Sequence, residues 1–455
     1  MTPPLDRRSF IKTSSIAAAG TVAIPHVGSS FSVRKHAKDE IRIGFIGTGL
    51  RGRNHVNNIL DQEGVVCPAF CDIDPAAVEL TQQMILDRTG KKSKVYTGDE
   101  EAFKEMLIKE ELDGVIVATN WKWHTPVCLA AMEAGVYVGV EVSGAFSVDE
   151  CWDLVETHQR TGTHLMFLEN VNYRRDVMAV LNMVRDGMFG ELIHCRGGYQ
   201  HDLRAVKFND GRGGLVYGES AYGEARWRTH HSIQRNAELY PTHGLGPVNA
   251  MLDINRGNRL VSISSVATKS RGLMKFIADH PDGGTHHEYH NINWSLGDIV
   301  TSTLTTANGE TIVLTHDTNL PRPYSLGFRV QGVNGLAEFD YYKRRVYVEG
   351  VSDPHRWDEW DTWFTKYDHK LWREFGEEAV NRGHGGMDFF LDRAFIESVK
   401  NGTEPVLDVY DAATLRVITP LSEASILQGG MPQQIPDFTE GKWMSRKPVF
   451  GIGNI

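Results

Sequence analysis

Apolar positions fall in two patterns over residues 41–165, and the patterns alternate. Ile41–Ile46 (IRIGFI) is β-rich and mostly apolar, as a strand buried on both faces must be. A helix-compatible run follows to Leu60, and then a second β-rich run, 65–71, that leads into Asp72. Spacing predicts helices over 74–88 and 99–107, a strand over 112–119, a helix over 125–134 closed by Gly135, and a strand over 136–140. Strand and helix in turn make βαβ units, so residues 41–165 are expected to form a doubly wound parallel sheet. From about residue 166 the pattern changes. A helix over 176–185 precedes β-rich runs at Leu260–Ala267, 298–306, 311–316 and 326–331, with few helices between them. This reads as an α+β domain, 166–455, with an open, mostly antiparallel sheet. One face of that sheet would lie against helices and the other would be available for a homo-oligomer. The tail returns to helix over 386–400 and 411–427.

The turn after the first strand is Gly47-Thr48-Gly49-Leu50-Arg51-Gly52, a G-x-G-x-x-G. Gly47 permits a tight turn, Gly49 lets a pyrophosphate approach the backbone, and Gly52 lets helix and strand pack closely. The helix N-terminus supplies N–H groups and partial positive charge to the phosphates. Glycine-rich turns are common, but here the context agrees. Asp72 stands about 20 residues past Gly52, where the ribose-binding acid of such a Rossmann domain is expected. A carboxylate there would repel a 2′-phosphate, which favours NAD over NADP. Ligands of doubly wound sheets sit at the carboxyl ends of the strands. Two polar sets fall there: Asn120-Trp121-Lys122-Trp123-His124 and Glu141-Val142-Ser143.

Bulk composition narrows the picture. With 455 residues the chain has room for about two domains. A net charge of −10 leaves no basic footprint for nucleic acid. Away from the N-terminus no apolar run is long enough for a membrane span. The cysteines, Cys67, Cys71, Cys128, Cys151 and Cys195, include no C-x-x-C pair and read as buried thiols. Asp6-Arg7-Arg8-Ser9-Phe10-Ile11-Lys12, followed by a mildly apolar small-residue stretch and Pro25, resembles a twin-arginine export signal. Residues 1–40 are thus expected to be signal and linker. The precursor would meet the Tat export machinery, and the mature protein would reside in the periplasm or be otherwise exported.

The second domain carries a dense polar stretch from Arg226-Trp227-Arg228 to Glu238-Leu239-Tyr240-Pro241-Thr242-His243-Gly244-Leu245-Gly246-Pro247, just before a predicted helix over 248–253. Histidine is the side chain suited to proton transfer near neutral pH, which makes His243 a candidate general acid or base, although a lone histidine is more often structural. His286-His287-Glu288-Tyr289-His290 has the composition of a metal cluster, but adjacent residues seldom chelate together, and the stretch reads as a solvated loop. No metal is expected. Pro321-Arg322-Pro323-Tyr324-Ser325 is a turn whose Tyr324 is either a packed aromatic or a sugar-facing hydroxyl.

These residues resemble the Gfo/Idh/MocA oxidoreductases and, more closely, the NAD-dependent glycoside hydrolases of family 109, whose founding activity is α-N-acetylgalactosaminidase. The stretches that carry the resemblance are Glu169-Asn170-Val171-Asn172-Tyr173, 239–248 (LYPTHGLGPV), 321–325, and Ile435-Pro436-Asp437-Phe438-Thr439 with Gly441 and Trp443. The resemblance implies NAD contacts at Leu50, Arg51, Asp72, Trp121 through His124, Glu141, Val142 and Asn170. It implies sugar contacts at Tyr199, Arg228, Tyr240, Pro241, Thr242, His243 and Tyr324, with His243 the main proton-transfer residue and Tyr324 and Tyr240 beside it. Two departures weaken a plain sugar dehydrogenase. The usual Glu-Lys-Pro is Glu141-Val142-Ser143, without lysine, and the Asp often found four residues before the histidine is Leu239.

Compartment and chemistry then meet. A periplasm offers no ready NAD pool, so an exported enzyme must hold its nucleotide and either make its reaction redox-neutral within one turnover or re-oxidise the nucleotide with a second substrate. The resemblance implies transient oxidation at C3, elimination across C1–C2, water addition and re-reduction. That route is the exception to the usual two-carboxylate glycosidase. Two alternatives stand beside it. One is an exported sugar oxidoreductase with a tightly bound nicotinamide cofactor, of the glucose–fructose oxidoreductase type. The other is a non-catalytic sugar-binding or sensing protein of the same fold.

Overall fold

The computed structural model describes residues 40–340 and 343–452, and the predicted export signal lies outside them. The first sheet is wholly parallel. Its strands are β1 (Ile41–Ile46), β2 (Val65–Val66), β3 (Ala69–Cys71), β4 (Lys94–Tyr96), β5 (Gly114–Val117), β6 (Tyr137–Val140) and β7 (Leu165–Phe167), in the order β4-β3-β1-β5-β6-β7 with β2 also beside β1. Strand order reverses between β1 and β5, which places the ligand crevice at their carboxyl ends. Burial on both faces explains the unbroken apolar runs: Ile43, Phe45, Val115, Ile116, Val138 and Val140 are fully buried. The second run of this domain is split into β2 and β3 around Pro68, which has no N–H to give a central ladder. The helix read as 125–134 begins earlier, at Trp121, and runs to Glu133.

The second sheet has nine strands: β8 (Leu192–Gln200), β9 (Leu260–Ala267), β10 (Ile299–Thr306), β11 (Thr311–Asp317), β12 (Phe328–Gly332), β13 (Gly335–Phe339), β14 (Arg344–Val348), β15 (Asp358–Glu359) and β16 (Gln433–Gln434). Their order is β15-β14-β13-β12-β8-β11-β10-β9-β16, and every pairing is antiparallel except β8 with β11. Alternation along β10 and β11 buries Val300, Leu304, Ile312 and Leu314 on the helix-covered face. Strand β8 gives little signal in sequence because it contains Gly197-Gly198. Both glycines answer to packing: a Cβ on Gly197 would stand 2.0 Å from the Gly244 carbonyl oxygen, and one on Gly244 2.2 Å from the Gly198 nitrogen. Strand β8 therefore lies in backbone contact with the helix Thr242–Met251.

The tail read as one helix over 411–427 is two, Val409–Arg416 and Ile418–Leu427. Pro420 falls in the first turn of the second, where its missing N–H costs nothing. The helix Met387–Asn401 and the segment after it return to the first sheet. Phe395 packs over Gly114 and Gly139, and Phe167 donates its N–H to the Leu407 carbonyl. All five cysteines are buried free thiols. Among the described residues no helix is long and apolar enough to cross a membrane.

Candidate active site

The nucleotide end is set by the turn after β1. Gly47 has φ +82°, and a Cβ there would stand 2.6 Å from the Thr119 nitrogen at the end of β5. A Cβ on Gly52 would stand 2.0 Å from the Gly47 carbonyl oxygen, so the helix Leu50–Ile59 is pressed onto the turn. A Cβ on Gly49 would meet nothing within 4 Å, and this residue caps that helix without a side-chain bond, which leaves the first N–H groups open to a phosphate. Asp72 is held by the Thr48 N–H at 2.5 Å on one oxygen and the Asp74 N–H at 2.9 Å on the other. The buried acceptors Asn120 Oδ1 and Asn170 Oδ1 meet no protein donor. Buried acceptors are normally satisfied. Open backbone at Gly49 and two acceptors lacking protein donors fit a bound NAD.

Several expected contact residues are engaged internally. Arg51 Nε donates to Glu141 at 2.6 Å, and its two Nη atoms donate to Asp388 at 2.6 and 3.0 Å. Glu141 also faces His55 Nε2 at 2.8 Å and accepts the Val142 N–H at 3.0 Å. Burial alone would raise the Glu141 carboxyl, but Arg51 and His55 hold it well below the usual range. His55 Nδ1 lies 2.6 Å from Asp392. With a carboxylate on each ring nitrogen, His55 must donate from both, as an imidazolium. Burial opposes that charge, yet Asp392 and Glu141 raise its pKa to about 9. His124 is the opposite case. Its Nε2–H donates to the Thr119 carbonyl at 3.0 Å and its Nδ1 lies 3.1 Å from Ser143 Oγ. Burial and Arg416 push it down to about 4, so it is neutral.

The chemical end is built on β7, β8 and the helix Thr242–Met251. That helix starts six residues before the predicted 248–253, so His243 lies in its first turn rather than ahead of it. Glycine has low helix propensity, but tertiary packing requires it at 244 and 246: a Cβ on Gly246 would stand 2.8 Å from both Asn172 Oδ1 and Glu169 Cγ. The resulting close approach places His243 Nδ1 at 2.8 and 3.0 Å from the two oxygens of Glu169, which is fully buried. Nδ1–H donates to the carboxylate, and the lone pair is left on Nε2.

Three phenols ring this pair. Tyr199 lies 4.4 Å from Tyr240, 5.5 Å from His243 and 6.2 Å from Tyr324, ring centre to ring centre. Tyr240 lies 4.9 Å from His243. Burial raises all three phenols, Tyr199 to about 12, so they remain proton donors at neutral pH. The Arg228 guanidinium, paired with Glu224, lies 4.8 Å from the Trp121 ring and 5.3 Å from Tyr240. Trp121 thereby joins the nucleotide domain to the cluster. Pro241 and Thr242 are buried beside it. Lys122 and Trp123 are not brought in: Trp123 packs on Phe103 at 6.0 Å, with Lys122 over its ring. The 286–290 stretch forms a short turn in which His287 Nδ1 accepts the Tyr289 N–H, and among the described residues no three His, Cys, Asp or Glu side chains are grouped to hold a metal ion.

Sequence reasoning assigned no role to Glu169, His201, Glu238, Asp388 or Asp392. Glu169 had a readable signal, an acid directly after a buried apolar run, like Glu141. His201 Nδ1 lies 3.2 Å from the Tyr199 hydroxyl. Glu238, fully buried, accepts the Tyr240 N–H, and burial pushes its carboxyl up to about 8.

A dinucleotide crevice that opens onto a histidine–carboxylate pair defines the class: a two-domain, NAD-binding α/β enzyme. Comparison with known proteins then gives the family. The family model described as "Oxidoreductase family, NAD-binding Rossmann fold" matches residues 41–168, and "Glycosyl hydrolase 109, C-terminal domain" matches 173–445. The chain is 51% identical to an alpha-N-acetylgalactosaminidase of Tannerella forsythia, over 98% of this chain and 99% of that one. It is 49% identical to a glycosyl hydrolase family 109 protein of Parabacteroides distasonis, with the same coverage. An oxidoreductase from Agrobacterium radiobacter, solved with NAD+, L-tartaric acid and magnesium, shares the fold at 16% identity (TM-score 0.59, 87% of this chain and 98% of that one). The chain belongs to glycoside hydrolase family 109.

Proposed function

We propose that this glycosidase hydrolyses N-acetylhexosaminides, α-N-acetylgalactosaminides first among them, by transient oxidation at C3 with NAD retained throughout. The observation that carries the reading is the Glu169–His243 pair, ringed by three protonated phenols and joined through Trp121 to the nucleotide domain. Bound NAD supplies a hydride acceptor for C3–H and later a donor. Arg228, Tyr199, Tyr240 and Tyr324 bind and orient the sugar. His243 Nε2 takes the proton of the C3 hydroxyl as the hydride leaves, releases it to water, and then takes the proton from C2, which the C3 ketone acidifies. Glu169 holds the imidazole in that tautomer and stabilises its charge once protonated. A phenol protonates the departing C1 oxygen. Water then adds at C1, a proton returns to C2, and the ketone is reduced. The sugar preference is supported by the name of the Tannerella forsythia relative.

Deuterium incorporation tests this reading. Turnover in D₂O, stopped at partial conversion, should give product sugar with deuterium at C2 by mass spectrometry. Full retention of hydrogen at C2 would rule the cycle out. Export through the twin-arginine pathway belongs to the same proposal and is supported by Arg7-Arg8 and the stretch after them. Arg7→Lys with Arg8→Lys should leave the protein in the cytoplasmic fraction; unchanged periplasmic recovery would overturn that part.

A further inference from the structure

The helix Met387–Asn401 comes from the far end of the chain, yet its Asp388 is fully buried against the nucleotide crevice. Its carboxylate accepts from Arg51 at 2.6 and 3.0 Å, from the side-chain amide of Asn170 at 2.8 Å, and faces His384 Nδ1 at 2.7 Å. Burial would raise this carboxyl, but Arg51 and His384 hold it far below the usual range, so it is a permanent acceptor.

That permanence has a geometric consequence. A carboxylate accepts and cannot donate, so only the NH₂ group of Asn170 can turn toward it. The other end of the amide, Oδ1, must then point away. It is buried and meets no protein donor. Asn170 follows β7 directly after Glu169, the partner of His243, and so lies at the chemical end of the crevice. Asp72 marks the ribose end on the opposite side of β1, after β3. Of the groups a dinucleotide presents at its chemical end, the nicotinamide ribose hydroxyls and the carboxamide can both donate, and only the carboxamide donates through N–H, the bond that an acetylpyridine analogue lacks.

We infer that Asp388 is a positioning residue: it turns Asn170 so that Oδ1 faces the cofactor and accepts an N–H of the nicotinamide carboxamide. Asp388 thus makes the crevice selective for the amide of NAD, through a side chain that need not touch it.

The test is nucleotide preference, read without turnover. It rests on NAD binding and not on the elimination cycle, so either can fail alone. Holoenzyme is equilibrated with mixtures of NAD and 3-acetylpyridine adenine dinucleotide, in which a methyl group replaces the amide NH₂, and the bound nucleotide is extracted and quantified. Leaving a buried acceptor unpaired costs affinity, so the wild type should prefer NAD by about tenfold or more. In Asp388→Asn the side chain at 388 can donate, Asn170 is free to flip, and the preference should fall toward one. General loosening around Arg51 would weaken both nucleotides alike and leave the ratio unchanged. Asn170→Ala should abolish the preference as well. Should Asp388→Asn not fold, Asp388→Ser carries the same expectation. Equal binding by the wild type, or a preference that persists in the folded Asp388 variants, would overturn the inference.

Discussion

Two histidines of this enzyme are each held by carboxylate, and the arrangement suits them to opposite roles. His55 has Asp392 on one nitrogen and Glu141 on the other, and its side chain is wholly buried. His243 has only Glu169, on Nδ1, and part of its ring stays open among the phenols. With two acceptors the imidazole is locked as a cation and becomes part of the scaffold. With one it keeps a nitrogen whose protonation can change during a reaction. The number of carboxylates, and one open ring edge, separate a structural ion from the proton carrier proposed for this reaction.

The comparison can be broken at several points. The largest effect should come from His243→Ala. Positioned acid–base groups contribute about 10²–10⁴-fold, so turnover should fall by that much while the melting temperature and bound NAD stay near wild type. Near-normal kcat would return His243 to a structural role. His55→Gln should show the reverse pattern. It strands the buried Asp392 without its cation, while Glu141 keeps Arg51, a change worth about 3–5 kcal/mol of stability. Urea unfolding measures it, and a loss below about 1 kcal/mol would refute the locked-cation reading.

The same cation gives a pH signature. The folded pKa of His55 is raised from 6.5 to about 9. The folded state therefore binds the proton more tightly than the unfolded state. Its contribution is fully present below about pH 6.5 and is lost as pH rises through about 9, with a total on the order of 3 kcal/mol. Stability measured from pH 6.5 to 9 should decline in the wild type and lose that component in His55→Gln. Parallel slopes would sink the assignment. The smallest effect should come from Glu169→Gln, which keeps a hydrogen bond to His243 but removes the charge. A bond to a charged group is worth about 1.5–3 kcal/mol, so kcat should fall by about tenfold to a hundredfold. If kcat falls as far as in His243→Ala, Glu169 acts directly on the sugar.

The structure also shows why part of this site was legible beforehand. Gly47, Gly49 and Gly52 announce the nucleotide turn because a backbone conformation or a close approach excludes other residues. The 239–248 stretch pointed to His243 because it stands among Tyr, Thr and Gly just before a predicted helix, and the family resemblance added Tyr240. The start itself was misplaced by six residues, because Gly244 and Gly246 serve contacts with β8 and Glu169 that local propensity does not contain. Strand β8 went unread for the same reason: its glycines weaken it locally and are repaid only across the sheet.

What the sequence by itself determined is therefore local and periodic: the alternating βαβ run, the antiparallel character of most of the second sheet, and the dinucleotide turn with Asp72. What only the tertiary structure decided are the partners. Arg51 and His55 stand four residues apart on one helix, and Asp388 and Asp392 four apart on another, so each helix shows one charged stripe. Nothing in either stripe names the other. They meet across 337 residues of chain because Phe395, on the same helix as the two acids, packs over Gly114 and Gly139 on the first sheet. Helical spacing is a property of a segment, and charge pairing is a property of two segments in contact. Only packing of the whole chain brings those segments together, and with them the acid that turns Asn170 and the acid that orients His243.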